Sequence, residues 1–196
     1  MNKEKNKLHR MTQLSLLLAL EILMGFTPLG MLQVPPVSIT LMHIPVIIGG
    51  ILLGYGAGAF LGGAIGVLSM IRATFAAAGP IDLLFNPAVS GNPIGSIVMA
   101  VLPRILLGIV AVFVYRVLTA KTKLKPAVCI GAAAVVASLC HSFGVLSLLS
   151  LLFSALPFKA VFGTLIGING MLEMLAAGVI CTAVCRAVMV AERGKK

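Results

Sequence analysis

Four residues able to carry a full charge, Glu21, Arg72, Arg104 and Glu173, lie inside runs otherwise apolar enough for lipid. A charge at the centre of a bilayer costs on the order of 3 kcal/mol even on lenient insertion scales, so each such residue needs a partner or a task. His43 opens another apolar run, and Asn169 stands one helical turn before Glu173 and shares its face. Asp82, Asn86 and Asn92 fall in a segment of mixed apolar and turn-forming residues, 76–93. An arginine presents a planar fork that grips a carboxylate by two hydrogen bonds, so Arg72 and Arg104 are candidates to hold an acidic ligand. The same four charges would serve a purely structural end if each arginine met a glutamate, and a lone histidine such as His43 fits a structural role as readily as a binding one.

Catalysis is disfavoured by what surrounds these groups. The nearest approach to an intramembrane serine protease motif, Ala88-Val89-Ser90-Gly91, lacks the leading glycine. His141 and Ser142 are adjacent along one helix, which turns their side chains about 100° apart and prevents direct activation of the hydroxyl. No paired-histidine zinc motif and no glycine-rich phosphate loop is present. Cys129, Cys140, Cys181 and Cys185 sit in apolar runs with no His or carboxylate at ligand spacing, so neither a metal site nor a disulfide is expected.

The elements that must position these groups are set by the composition. Of 196 residues 60% are apolar and 10% charged, with a mean hydropathy of +1.13, which excludes a water-soluble domain. The net charge of +10 would suggest a nucleic-acid partner in a soluble protein, but twelve of the fifteen basic residues fall in three clusters. These are Lys3, Lys5, Lys7 and Arg10; Arg116, Lys121, Lys123 and Lys125; and Arg186, Arg193, Lys195 and Lys196. No nucleic-acid partner is expected; the partner is the lipid bilayer. Spans are expected at about 11–26, 40–53, 57–75, 94–118, 126–145 and 162–190, within one membrane domain over 1–196. Six spans put all three clusters on one side, which by the positive-inside rule is the cytoplasm, together with both termini. The expected fold class is an all-α integral membrane protein of six helices in the plasma membrane. The apolar run after Arg10 ends at Thr27-Pro28 without a small-residue cleavage site, which favours a retained first helix.

On that topology Glu21, His43, Arg72, Arg104, Asn169, Glu173 and the 76–93 segment with Asn92 converge near the outer leaflet, and the inner halves are almost purely apolar. A binding pocket open to the outside is the expectation. Gly58, Gly62 and Gly66 recur every four residues on the third span, a spacing that lets another helix of the bundle approach backbone to backbone. Ser15 and Ala19 make a further small-residue step on the first span, on an edge facing away from Glu21. Internal repeats are not evident.

These residues resemble the substrate-binding S components of energy-coupling factor (ECF) vitamin importers over nearly the whole chain. The more specific part is the run from Ile39 to Gly54, continued by Gly58 to Gly62 and Ser69 to Arg72, then Ser90-Gly91-Asn92 and Pro103 to Gly108. The pattern is most similar to the pantothenate-type and unassigned branch. The resemblance implies a chain that captures a micronutrient outside and delivers it through a transmembrane coupling subunit and two ATPase subunits. It binds no cofactor itself, ATP being used by the partners. In the family an Ala-x-x-x-Ala step on the first helix meets the coupling subunit; here Ser15 and Ala19 occupy it, keeping the small size but not the first alanine. The segment from Pro28 to Thr40 would act as a lid. With no Trp, and Tyr55 and Tyr115 both near the cytoplasmic side, a ring-shaped vitamin held by stacking is disfavoured, and pantothenate, a carboxylate, is the leading substrate. The alternatives are a self-sufficient homo-oligomeric channel or carrier with the glycine ridge as its seam, and a membrane scaffold without ligand.

Overall fold

A computed structural model describes residues 2–27, 30–34, 37–77, 80–153 and 168–194. Helix α1 spans Asn2–Phe26, strands β1 and β2 span Met31–Val34 and Val37–Thr40, and helices α2 and α3 span Ile44–Leu53 and Tyr55–Phe75. A single turn, α4, spans Pro80–Leu83, followed by α5 over Pro93–Lys121, α6 over Pro126–Phe153 and α7 over Ile168–Arg193. Helices α3, α5 and α6 and the stretch Gly170–Glu192 of α7 are long and apolar enough to cross a membrane.

The bundle is helical as expected, with one addition in a connection. The segment expected as a loop from Pro28 to Thr40 contains an antiparallel hairpin, Met31 opposite Thr40 and Val34 opposite Val37. Pro35 and Pro36 bar a helix, and Val, Ile and Thr on either side favour extended backbone. The start of the sixth expected span lies outside the described residues.

Helix α2 is only ten residues, about 15 Å, half the thickness of a bilayer core. Its composition explains where it goes: all its residues are apolar and all but Leu52 are buried, so α2 is the inner pillar of the bundle. Pro45 in its first turn fits the free N–H positions of a helix start. At its far end Gly54, with φ of 95°, reverses the chain into α3 in one residue, a conformation that side chains strain to adopt.

Helices α3 and α5 meet backbone to backbone. A Cβ on Gly58 would lie 3.0 Å from the Gly108 carbonyl oxygen, one on Gly66 would lie 2.9 Å from that of Ala100, and one on Gly62 would run into the carbonyl of Arg104. The glycine ridge is therefore an intramolecular seam. Helix α5 packs in turn on α6, and α6 on α7. The core runs through Ile47, Leu61, Leu107, Ile130, Ala134 and Cys181.

One end of the bundle is tied by polar contacts. Glu192 of α7 accepts from Gln13 Nε2 (2.8 Å) and lies 3.2 Å from His9 Nε2, both on α1. Arg10 donates to the Leu53 carbonyl (2.5 Å), and the Arg116 guanidinium lies over the Tyr55 ring at 4.7 Å. Both ends of the chain, the α2–α3 turn and the last turns of α5 thus share one end.

Candidate functional site

The opposite end holds a cavity of about 310 Å³. Thr40, Met42 and His43 line it from the approach to α2; Ile65, Ser69, Arg72 and Ala73 from α3; Arg104 and Leu107 from α5; His141, Ser142, Val145 and Leu146 from α6; and Gly170 and Glu173 from α7. Asp82 and Phe85 close it from the α3–α5 connection.

That connection is tied down rather than loose. Ser96 of α5 donates to the Leu84 carbonyl (2.6 Å) and shares a hydrogen bond with Ser90 (2.7 Å), while Asn86 Oδ1 accepts from the Ala88 N–H (2.9 Å). These bonds hold Phe85 against the Arg104 guanidinium, 5.2 Å from its ring centroid. Asn92 stands at the N-cap of α5, its side chain accepting from the Gly95 N–H (3.0 Å), and it does not line the cavity. Asn92→Ala is expected to lower the stability of the purified protein by about 1 kcal/mol, the usual worth of an N-cap, and to leave ligand affinity within about twofold of the parent. Thermal melting and a binding isotherm check the two halves of that expectation.

Arg104 owes its position to Pro103. A proline inside a helix has no N–H for the carbonyl four residues back, here Met99. Arg104 curls back along α5 and donates from Nη1 to the carbonyls of Met99 (3.2 Å) and Ala100 (2.7 Å), so the orphaned acceptor is satisfied. The guanidinium is thereby fixed toward the connection-covered mouth. Arg72, in the last turn of α3, lies at the same mouth, and its Nη1 is buried with no hydrogen-bond partner among the described residues.

At the inner end His43 is buried, its Nε2 3.2 Å from the Ser138 hydroxyl and its Nδ1 3.4 Å from Glu173 Oε1. The His141 ring stacks on that of His43, with centroids 6.3 Å apart and planes 19° apart. Among the described residues neither arginine forms an ion pair with Glu21 or Glu173, so the charges do not lock the bundle as two Arg–Glu pairs.

The structure thus gathers His43, Arg72, Arg104 and Glu173 around one cavity. Glu21 is elsewhere: it is 0% exposed, its carboxylate oxygens find no partner among the described residues, and it does not line the cavity. It lies one turn before Gly25, which packs against Met42 and Leu68 where α1 meets α2 and α3. The side chain of Asn169 lies outside the described residues. Ser15 and Ala19 are both exposed on the outer edge of α1. His141, Ser142 and Phe85 are cavity residues that the sequence reading did not assign to binding. His141 is the one basic side chain in Pro126–Phe153, and the rule that singled out the arginines would have found it.

Comparison with known proteins gives a consistent result. The profile of the family described as ECF transporter, substrate-specific component matches residues 9–191. The chain is 35% identical over 157 residues to the pantothenic acid transporter PanT of Lactococcus lactis subsp. cremoris (strain MG1363), with 76% of each chain covered. Among solved structures it is similar to the S-component for biotin from an ECF-type ABC transporter, with a TM-score of 0.57, 20% identity and 93% of each chain covered, a likeness of fold. The chain therefore belongs to the substrate-specific components of ECF transporters, and is a multi-pass plasma-membrane transport protein rather than an enzyme.

Proposed function

We propose that this chain captures pantothenate from outside the cell and delivers it through a transmembrane coupling subunit and two ATPase subunits, which supply the ATP hydrolysis. The observation that carries the reading is the cavity: two arginines from different helices at its mouth, an apolar wall of Met42, Ile65, Leu107, Val145 and Leu146, and a polar inner end. At about 310 Å³ it stands at the lower limit of small-molecule pockets, about 300–1,000 Å³, which suits a compact, non-aromatic acid. The relative named for pantothenic acid transport supports the same substrate.

Six spans with both termini cytoplasmic complete the reading. Support comes from the contacts of His9 and Gln13 with Glu192, which bring the two ends of the chain together among basic residues, and from the cavity at the opposite end. Beneath the cavity Ile47, Ile130, Ala134 and Cys181 are buried and apolar, which suits a binding subunit better than a channel. The exposed edge with Ser15 and Ala19 is the proposed contact for the coupling subunit.

Pantothenol, in which an alcohol replaces the carboxylate, tests the arginine assignment. In competition against labelled pantothenate on the purified chain it is expected to bind at least about 100-fold more weakly, because a charged, doubly hydrogen-bonded group is lost. Equal potency of the two compounds would remove the arginine–carboxylate pairing.

A further inference from the structure

The inner end of the cavity contains a group that the carboxylate reading does not use. Both ring nitrogens of His141 are buried and have no hydrogen-bond partner among the described residues, although the residue lines the cavity. Its neighbour His43 is partly satisfied: its Nε2 is hydrogen-bonded with the Ser138 hydroxyl at 3.2 Å, while its Nδ1, 3.4 Å from Glu173 Oε1, makes no hydrogen bond among the described residues. His43 is thus held at one nitrogen, and its ring lies near-parallel to that of His141, 6.3 Å away between centroids. A buried polar group without a partner is costly, and native structures rarely keep one unless something else supplies the bond.

A neutral imidazole carries one donor and one acceptor. A hydroxyl both donates and accepts, so it fits either ring nitrogen, one at a time, whichever of them carries the proton. Phe85 lies against the Arg104 guanidinium on one side of the cavity, and His141 stacks on His43, which is bonded with Ser138, on another. A ligand filling the cavity then has its acidic end at the arginines and its hydroxylated end at the imidazole.

We propose that His141 is a specificity-determining residue that hydrogen-bonds a hydroxyl of the bound molecule, so that the site selects hydroxylated carboxylic acids over acids of the same shape without hydroxyls. His43, held by Ser138, acts as the positioning residue behind it. The inference rests on the pantothenate reading above, whose ligand has a carboxylate at one end and two hydroxyls at the other.

The test compares pantothenate with the N-acyl-β-alanine of the same skeleton in which both hydroxyls are replaced by hydrogen, on the purified full chain. The parent is expected to prefer pantothenate by about 10- to 100-fold. In His141→Phe that preference is expected to collapse to within about threefold, with pantothenate weakened and the deoxy compound little changed. His141→Gln, which keeps a donor and an acceptor, is expected to restore part of the preference. Ligand-free melting shows whether each variant is folded, and the parent comparison alone still decides if His141→Phe does not fold. A parent that binds both compounds equally, or a folded His141→Phe that keeps the full preference, overturns the assignment while leaving pantothenate as substrate. A folded parent that binds neither compound overturns the substrate reading and this inference with it.

Discussion

Arg72→Ala is expected to weaken pantothenate binding by about two to three orders of magnitude while leaving a folded protein. Truncating one partner of a buried, hydrogen-bonded charge pair costs about 3–5 kcal/mol, and each 1.4 kcal/mol is tenfold in affinity. Arg72 is the arginine with a buried Nη1 still lacking a partner among the described residues, so on the proposed reading it is the group that the ligand carboxylate would satisfy. Arg72→Lys is expected to recover only part of the loss, because an ammonium lacks the planar fork. Arg104 behaves differently because its Nη1 already serves the Met99 and Ala100 carbonyls beside Pro103. Arg104→Ala therefore lowers ligand-free melting as well as affinity, whereas Arg72→Ala acts mainly on affinity. Calorimetric titration of ligand into each variant, with a ligand-free melt alongside, separates the two patterns. Parent-like affinity in Arg72→Ala would end its assignment.

Gly62→Val is expected to remove most folded protein, and Gly62→Ala to destabilise by about 1–3 kcal/mol and to weaken ligand binding as well. The atom that a Cβ at Gly62 strikes is the Arg104 carbonyl, with the Arg104 carbonyl carbon and the Ile105 nitrogen behind it, all backbone. Backbone cannot rotate aside as a side chain does, so α3 and α5 must part. Arg72 and Arg104 ride on those two helices, and their spacing changes when the helices separate. Gly56→Ala is the control: it lies in α3 but meets nothing within 4 Å, so melting and binding are expected to stay at the parent level or rise slightly. Monodispersity on size exclusion, melting temperature and ligand affinity report the outcome. A Gly62→Ala protein that melts and binds like the parent would contradict the seam.

Much of the site was legible because lipid makes charge conspicuous. Arg72, Arg104, Glu173 and His43 stand out from apolar runs by cost alone, and they do meet at one cavity. The same logic flagged Glu21 as a residue needing an explanation but could not say which side of α1 faces the cavity, since that depends on how α1 docks against α2 and α3. His141 was weighed only as a base for Ser142, a test of catalysis that hid its standing as an ionisable group in an apolar helix. Asn92-Pro93 is a helix-start signature in its own right, which is the part the asparagine takes at α5.

The fold was legible where periodicity and breakers agree and less so where distant packing decides. The glycine spacing in α3 announced a backbone-to-backbone seam, and Gly54 the tight reversal before it. The burial of α2 was not readable: ten apolar residues fit the rim of a bundle or its interior equally well, and only the surrounding helices put it inside. The hairpin before it needed the paired prolines to be weighed together with the β-branched residues beside them.

The measurement that bears most directly on the central claim is calorimetric titration of pantothenate into the purified chain alone, without coupling or ATPase subunits, with biotin, riboflavin and thiamine as comparison ligands. Saturable binding of one pantothenate per chain is expected, with a matching rise in melting temperature, since a ligand that binds only the folded state stabilises it by RT ln(1 + [L]/Kd). The comparison ligands are expected to produce neither signal. No saturable heat and no shift with pantothenate, on protein that melts cooperatively, would contradict the account.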